Sequence, residues 1–515
     1  MFRSYSYQIY EMAHAALAPA RAVTDATHFM FRNPWNPLST TTLGRNISAG
    51  AEMFERMTRR YGKPIFGLDE IEVDGVVYPV LEDVVWSRPF CNLLHFVRPG
   101  FPGGDEQPRL LIVAPMSGHY ATLLRGTVEA LLPHCNIYIA DWTDARMVPL
   151  ALGTFDLDDY IDYVRLMLDH LGPGVHTLGV CQPSVPLIAA VAIMEQNGDP
   201  NVPASVTIMG GPIDTRRSPT EVTKLAEQRK PEWFRRNVLH RVPFPYPGVG
   251  REVYPGFLQL SGFMAMNLDR HVNAHREMFN HLVEGDGDSA EKHRDFYDEY
   301  LAVMDMDAAY FMQTLDTVFF RHLLPKGEMK HRGQLVDLKA IRHCGLMTVE
   351  GEKDDICGVG QTFAAQDLCV NIPEAKRVHH LQMEVGHYGI FNGSRFRKEI
   401  APKMRKFWAD IDAMNAKPDA KSVATRATVA ASGRTDDVAR RPAFPPTEED
   451  QIIYVTPSAK RKLSRAARVR HPLEDPACDG PGSVRLNSSA ANTNTKKRPP
   501  AARKHMGDKA YGRSV

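Results

Sequence analysis

One short run constrains this chain more than any other. Val175-His176-Thr177-Leu178-Gly179-Val180-Cys181-Gln182-Pro183 reads as an apolar strand that turns abruptly into a helix, with a cysteine on the turn. Such a turn presses helix backbone against strand, so the residue two before the cysteine must be small, and Gly179 is. The residue two after it is usually glycine for the same reason; here it is Pro183. Proline is tolerated in a first helical turn, where its missing N–H would have had no intrahelical partner. A small residue two before a cysteine is common by chance, and an isolated cysteine is most often an inert buried hydrophobe. The rest of the chain must decide whether Cys181 is a nucleophile.

It does so through order. Arg109–Pro115, Cys135–Trp142, Val175–Val180 and Ala204–Met209 are apolar runs of strand length, residues 343–356 read as a short apolar strand running into an acidic loop, Val378–Met383 is another strand-like run, and Asp156–Leu171 has helical spacing. This alternation predicts a mostly parallel sheet covered by helices on both faces. With a nucleophile on a sharp strand-to-helix turn, it predicts the α/β-hydrolase fold, in which nucleophile, acid and histidine follow one another along the chain at strand ends. Downstream of Cys181, Asp355 and His387 occupy the two expected strand ends. Asp354 competes as the acid; Asp355 is preferred because Ile356 follows it directly. Ser184, three residues into the helix, should face away.

The chemistry then assigns roles. Cys181 attacks as thiolate, its pKa depressed by histidine and the helix amino terminus. His387 acts as general base, and Asp355 fixes its tautomer. The backbone N–H groups of Gln182 and of Met116 or Ser117 form the oxyanion hole. A thioester intermediate follows, resolved by water or by a thiol such as coenzyme A; the residues do not choose between these acceptors.

Gly179-Val180-Cys181-Gln182-Pro183-Ser184, Gly351-Glu352-Lys353-Asp354-Asp355-Ile356 and Val385-Gly386-His387-Tyr388-Gly389 together resemble the intracellular poly(3-hydroxybutyrate) depolymerases. The resemblance runs from the amino terminus to about residue 412. It implies a cysteine–aspartate–histidine triad on Cys181, Asp355 and His387, and cleavage of the amorphous polyester of cytoplasmic storage granules to 3-hydroxybutyrate oligomers and monomer. Polyhydroxyalkanoate synthases share the triad and the polymer, but their turn normally reads Gly-x-Cys-x-Gly, from which Pro183 departs. A synthase-like acyltransferase, a small-ester hydrolase and a non-catalytic granule-binding scaffold are the competing readings.

The remaining segments are read as follows. Residues 1–62 form a helical segment; within it Tyr7 to Phe31 suits an amphipathic helix that packs on its own domain or lies on a granule. Residues 63–412 form the catalytic domain, with an insertion at about 211–338 as a cap. Within the cap, Pro243, Pro245, Pro247 and Pro255 interrupt a series of aromatics, so loops are expected there. An apolar groove built from those aromatics suits a water-insoluble polyester. Trp233 and Tyr246 from the cap, and His119 beside the oxyanion loop, are candidate substrate contacts.

Residues 416–515 carry 20 Lys+Arg against 10 Asp+Glu, while the rest carries 42 against 51. This basic, polar tail lacks apolar periodicity and is expected to be disordered. Its basic runs can attract acidic granule-associated proteins; nucleic acid is not an expected partner. Seven scattered cysteines without a Cys-x-x-Cys pair favour a reducing cytoplasm over disulfides or structural zinc. No metal or cofactor motif is present, no apolar run reaches transmembrane length, and the amino terminus does not read as a secretory signal. The expected location is therefore the cytoplasm, at the surface of storage granules.

Overall fold

The computed structural model describes residues 6–416, apart from residue 267. The basic tail, with the disorder expected of it, lies outside them. The core is an eight-stranded sheet: β1 (Leu81–Arg88), β2 (Cys91–Val97), β3 (Arg109–Val113), β4 (Asn136–Trp142), β5 (His176–Val180), β6 (Ser205–Met209), β7 (Gly345–Gly351) and β8 (Arg377–Gln382). Their order in space is β1-β2-β4-β3-β5-β6-β7-β8. β1 and β2 pair antiparallel, as do β2 and β4, and all other neighbours are parallel. This is the sheet of an α/β-hydrolase.

Burial explains the sequence pattern. β5, β6 and β7 are buried along their whole length. Strands covered on both faces read as continuous apolar runs rather than alternating ones. β1, at the edge, is largely exposed and carries Glu82, Asp83 and Arg88, charges that discourage pairing with another chain.

The covering helices start where sequence chemistry starts them. Asp156 caps Leu157–Leu171 by accepting the Asp159 N–H, and the Asp159 carboxylate takes the Asp156 N–H in return. The final helix is regular over Ala401–Ala416, and the preceding Phe396–Ile400 is a wide π turn. Pro402 accounts for the boundary, since it cannot donate within a regular helix and belongs in the first turn.

Between β6 and β7 the chain builds a mostly helical layer: α7 (Glu221–Gln228), α8 (Pro231–Asn237), α9 (Gly256–Met266), α10 (Leu268–Glu284), α11 (Gly287–Tyr300) and α12 (Ala308–Thr314), numbered after α1 to α6 named below. The Pro-rich piece is irregular apart from short strands at His240–Arg241 and Glu252–Tyr254. The aromatics around it sit mainly on helices: Trp233 and Phe234 on α8, Phe257 and Phe263 on α9. The sequence expectation of loops or a short cap edge is corrected there. Buried Arg251 ties this layer to the domain below, donating to Asp307 and to the carbonyls of Val148, Pro149 and Gly153.

The amino-terminal segment forms α1 (Ser6–Ala16), α2 (Ala18–Arg32) and α3 (Thr42–Thr58); on the sheet lie α4 (Arg125–Leu131), α5 (Leu157–Leu171) and α6 (Ser184–Gln196). α1 and α3 are latched to the cap. The buried Tyr7 hydroxyl donates to Asp305 at 2.7 Å, Glu52 pairs with Arg294 on α11, and Arg56 pairs with Asp298. α2 has no buried residue, and Phe29 and Trp35 at its far end are exposed. Among the described residues no helix is long and apolar enough to cross a membrane.

Candidate active site

The elbow is built as its residues require. Cys181 follows β5 with φ +68°, the left-handed region that costs a non-glycine residue about 1–2 kcal/mol. That strain is held in place by the Cys181 N–H donating to Met209 O at 2.7 Å and by Ser184 N–H donating back to Cys181 O. A Cβ at Gly179 would lie 2.9 Å from Leu187 Cδ2 of α6, so the Leu187 side chain packs directly on the glycine where helix crosses strand. Pro183 has φ −57° and ψ −16°, helical values at the helix entrance. Every residue of α6 from Ser184 to Met194 is buried, which fixes the elbow against the sheet.

His387 begins a short turn after β8 and is 5% exposed. Its Nδ1 donates to Asp354 Oδ2 at 2.8 Å, and its ring shares the lining of one cavity with Cys181. The carboxylate that meets His387 is thus Asp354, and the preference for Asp355 is corrected. The reason is local. Asp354 Oδ1 accepts the N–H groups of Ile356 and Cys357, an Asx-type turn that points Oδ2 at the imidazole and buries the carboxylate. Asp355, one residue on, is exposed.

Beneath this loop, buried Glu350 at the end of β7 accepts the N–H groups of Gly360, Thr362 and Phe363. Thr362 in turn takes the Gly211 N–H, next to the elbow. Sequence reasoning missed this support, although an acidic residue inside an otherwise apolar strand was the visible signal.

Electrostatics follow from burial. Desolvation alone would push His387 down, but the Asp354 carboxylate, with the Cys181 side chain beside it, outweighs it and raises it well above the ordinary histidine value. The imidazolium form of His387 is the one this geometry favours. The buried thiols are pushed up. Burial pushes Cys91, Cys344 and Cys357 well above the ordinary value, and Cys135 and Cys369 up to about 12. All six cysteines among the described residues are unpaired.

Cys181 and His387 open on an apolar cavity of about 150 Å³. Ser117, His119 and Gln182 line it, as do Val222, Phe263 and Phe319 from the cap layer. It sits at the carboxyl ends of β3 and β5, where the strand order changes direction and open α/β sheets bind ligands. His119 is buried, with Nε2 donating to Tyr300 O at 3.1 Å, and desolvation lowers its pKa to about 4, so it stands neutral. Met116 N–H, an expected oxyanion donor, donates to Gln182 Oε1 at 3.1 Å.

Two candidates lie elsewhere. Trp233 packs on Phe234 under the Arg229 guanidinium. The Tyr246 hydroxyl joins Arg60 and Glu11, fastening the amino-terminal segment. Both were chosen for aromaticity within the cap, but each is consumed in packing away from the cavity lining. Of Trp233, Phe234, Phe244, Tyr246, Tyr254, Phe257 and Phe263, the aromatics among the cap prolines, Phe263 alone lines the cavity, and Phe319, further along the insertion, joins it. Among the described residues no cluster of side chains is arranged to hold a metal ion.

Gly210, just after β6, was also not foreseen. Its φ is +54°, and a Cβ there would lie 2.7 Å from Ile390 Cδ1 and 3.0 Å from His387 Cε1. Gly210→Ala should therefore displace the imidazole and cut turnover about 10²-fold, the usual cost of a misplaced catalytic group. The strain should also destabilise the fold by about 1–2 kcal/mol. Steady-state kinetics beside thermal melts check this; a fully active Gly210→Ala protein would contradict it.

Residues 210–412 match the family model described as PHB de-polymerase C-terminus. That span holds the cap, Asp354 and His387, and begins downstream of Cys181. No curated protein matches the chain. Among solved structures, a thermophilic esterase from Thermogutta terrifontis is 12% identical, with 66% of this chain and 97% of that chain covered at a TM-score of 0.32. A 2-hydroxy-6-oxo-6-phenylhexa-2,4-dienoate hydrolase from Rhodococcus sp. strain RHA1 is 9% identical, with 64% and 99% covered at 0.34. Likenesses this loose add nothing to what the sheet order already shows. What the comparisons contribute is the match of residues 210–412 to the carboxyl-terminal part of polyhydroxybutyrate depolymerases.

Proposed function

We propose that this chain is an ester hydrolase that depolymerises poly(3-hydroxybutyrate) through an acyl-enzyme on Cys181. The observation that carries the chemistry is the line Cys181–His387–Asp354 at an apolar cavity. The match of residues 210–412 supports the polyester as substrate.

The thiolate of Cys181 attacks the ester carbonyl carbon, and the carbonyl π pair moves to oxygen. Backbone N–H groups of Gln182 and of the Met116–Ser117 turn stabilise that oxyanion. As the carbon–oxygen bond breaks, the leaving 3-hydroxyl takes the proton from His387. Neutral His387, held by Asp354, then deprotonates a water that attacks the thioester and regenerates the thiolate. No cofactor enters these steps. The working place of such an enzyme is the surface of cytoplasmic polymer granules.

Purified protein incubated with amorphous polyhydroxybutyrate granules should release 3-hydroxybutyrate and its oligomers, followed by chromatography. Incubated with the hydroxybutyryl thioester of coenzyme A, it should form no polymer. Polymer formation without release from granules would overturn the proposal in favour of an acyltransferase.

A further inference from the structure

An expected oxyanion donor, the Met116 N–H, is taken up by a side chain of the protein itself. Met116 lies on the turn after β3, where one donor for the developing oxyanion is expected. Its N–H instead reaches 3.1 Å to the side chain of Gln182. Because a backbone N–H can only donate, the facing atom is the carboxamide oxygen. Gln182 is also the residue after the nucleophile, whose own backbone N–H is the second donor. That N–H lies just ahead of the elbow helix, which begins at Ser184 after Pro183. One residue therefore supplies one donor and, at rest, satisfies the other. An amide oxygen on the Met116 N–H is chemically the same kind of acceptor as an ester carbonyl oxygen. Both Gln182 and Ser117 line the cavity beside Cys181.

We infer that the Gln182 carboxamide is a built-in stand-in for the substrate carbonyl, so that an incoming acyl group must displace it before the hole can stabilise an oxyanion. The inference rests on the acyl-enzyme reading of the site and adds a specificity element to it. Carbonyl groups held firmly enough by the cavity to win the exchange are processed, and weakly held ones are not. The displaced hydrogen bond is a neutral one, whose net value corresponds to about two- to tenfold in affinity.

A short aldehyde, butyraldehyde, tests this without turnover. Its addition forms a carbon–sulfur bond to Cys181, sends the π pair to the aldehyde oxygen and places that oxygen in the hole. The oxygen takes its proton from His387, giving a hemithioacetal. The dissociation constant is read from protection of Cys181 against alkylation. Gln182→Ala removes the stand-in and keeps both backbone donors, so it should bind the aldehyde about two- to tenfold more tightly, and kcat/KM for a soluble butyryl ester should rise through KM. Gln182→Glu keeps an acceptor of the same shape but adds a negative charge beside the oxyanion, so it should bind more weakly than wild type.

Opposite shifts in the two variants are the expected signature. If the side chain merely braces the elbow, both substitutions weaken binding, and the inference is overturned; equal affinities in all three proteins, or no binding by any, overturn it as well. Failure of the depolymerase reading shows separately, as absence of 3-hydroxybutyrate release by an enzyme that still binds the aldehyde.

Discussion

Cys181→Ala should lower ester turnover by about 10⁴-fold or more, the scale on which a triad collapses without its nucleophile. The prediction is sharp because nothing nearby can substitute. Cys357 shares the cavity, yet its thiol is pushed well above the ordinary value by burial and its sulfur is engaged with Gln361. Ser184 is fully buried, with its hydroxyl packed against Gly211 rather than aimed at the cavity. Among these three, the half-buried Cys181 alone combines the strained elbow backbone with a place in the lining beside His387. Acid quench of wild type with a soluble hydroxybutyryl ester should trap an acyl group, and mass spectrometry should place it on the peptide containing Cys181. The alanine variant should carry none while keeping its melting temperature. Cys181→Ser should remain far below wild type, because a hydroxyl does not ionise against an imidazole as a thiol does. Turnover retained by the alanine variant would remove the acyl-thioester mechanism.

How far the sequence reaches depends on which physical signal a residue leaves behind. β3, β5, β6 and β7 are buried on both faces, so hydropathy marks them almost to their ends. Gly179 and Cys181 are legible because the elbow imposes sterics that few residues satisfy. His387 is legible because it follows the last strand in an order that the fold dictates. The acid is harder. Asp354 and Asp355 are adjacent and chemically identical, and only the turn closed by Ile356 and Cys357 N–H groups decides which one is buried. The apolar Ile356, which argued for Asp355, instead closes the Asx turn of Asp354. Trp233 and Tyr246 show the converse limit: side-chain type marks an aromatic as able to touch substrate, while packing against Phe234, or bonding to Arg60 and Glu11, places it outside the lining of the cavity. Gly210 and Gln182 matter through approaches from elements distant in sequence, Ile390 and His387 for one and Met116 for the other. No local pattern carries that information.

The neighbouring aspartates therefore give the second large prediction. Asp354→Asn should cut kcat about 10²–10⁴-fold, the range over which positioned acid–base catalysis contributes, whereas Asp355→Asn should change it less than about threefold. The asparagine amide can offer its N–H to Nδ1 and so stabilise the wrong tautomer, and it removes the charge that holds the imidazolium. The sign with pH follows. Burial opposes the imidazolium, and the Asp354 carboxylate is foremost among the groups that overcome it, with Cys181 beside it. Without that carboxylate His387 loses its proton at lower pH, so the alkaline limb of the kcat/KM profile should move down in pH.

Stability should respond in the same direction. A histidine raised on folding stabilises fully below its unfolded pKa, and the contribution fades as pH rises through its folded pKa. Asp354→Asn should accordingly lose most stability on the acid side of that window and converge toward wild type at high pH. Asp355 is exposed, and its charge acts on Tyr388 at the cavity, so its variant should at most shift KM modestly. The measurement is a paired pH–rate profile of the two variants against wild type. An unchanged alkaline limb in Asp354→Asn, or a collapse of kcat in Asp355→Asn, would return the role to Asp355.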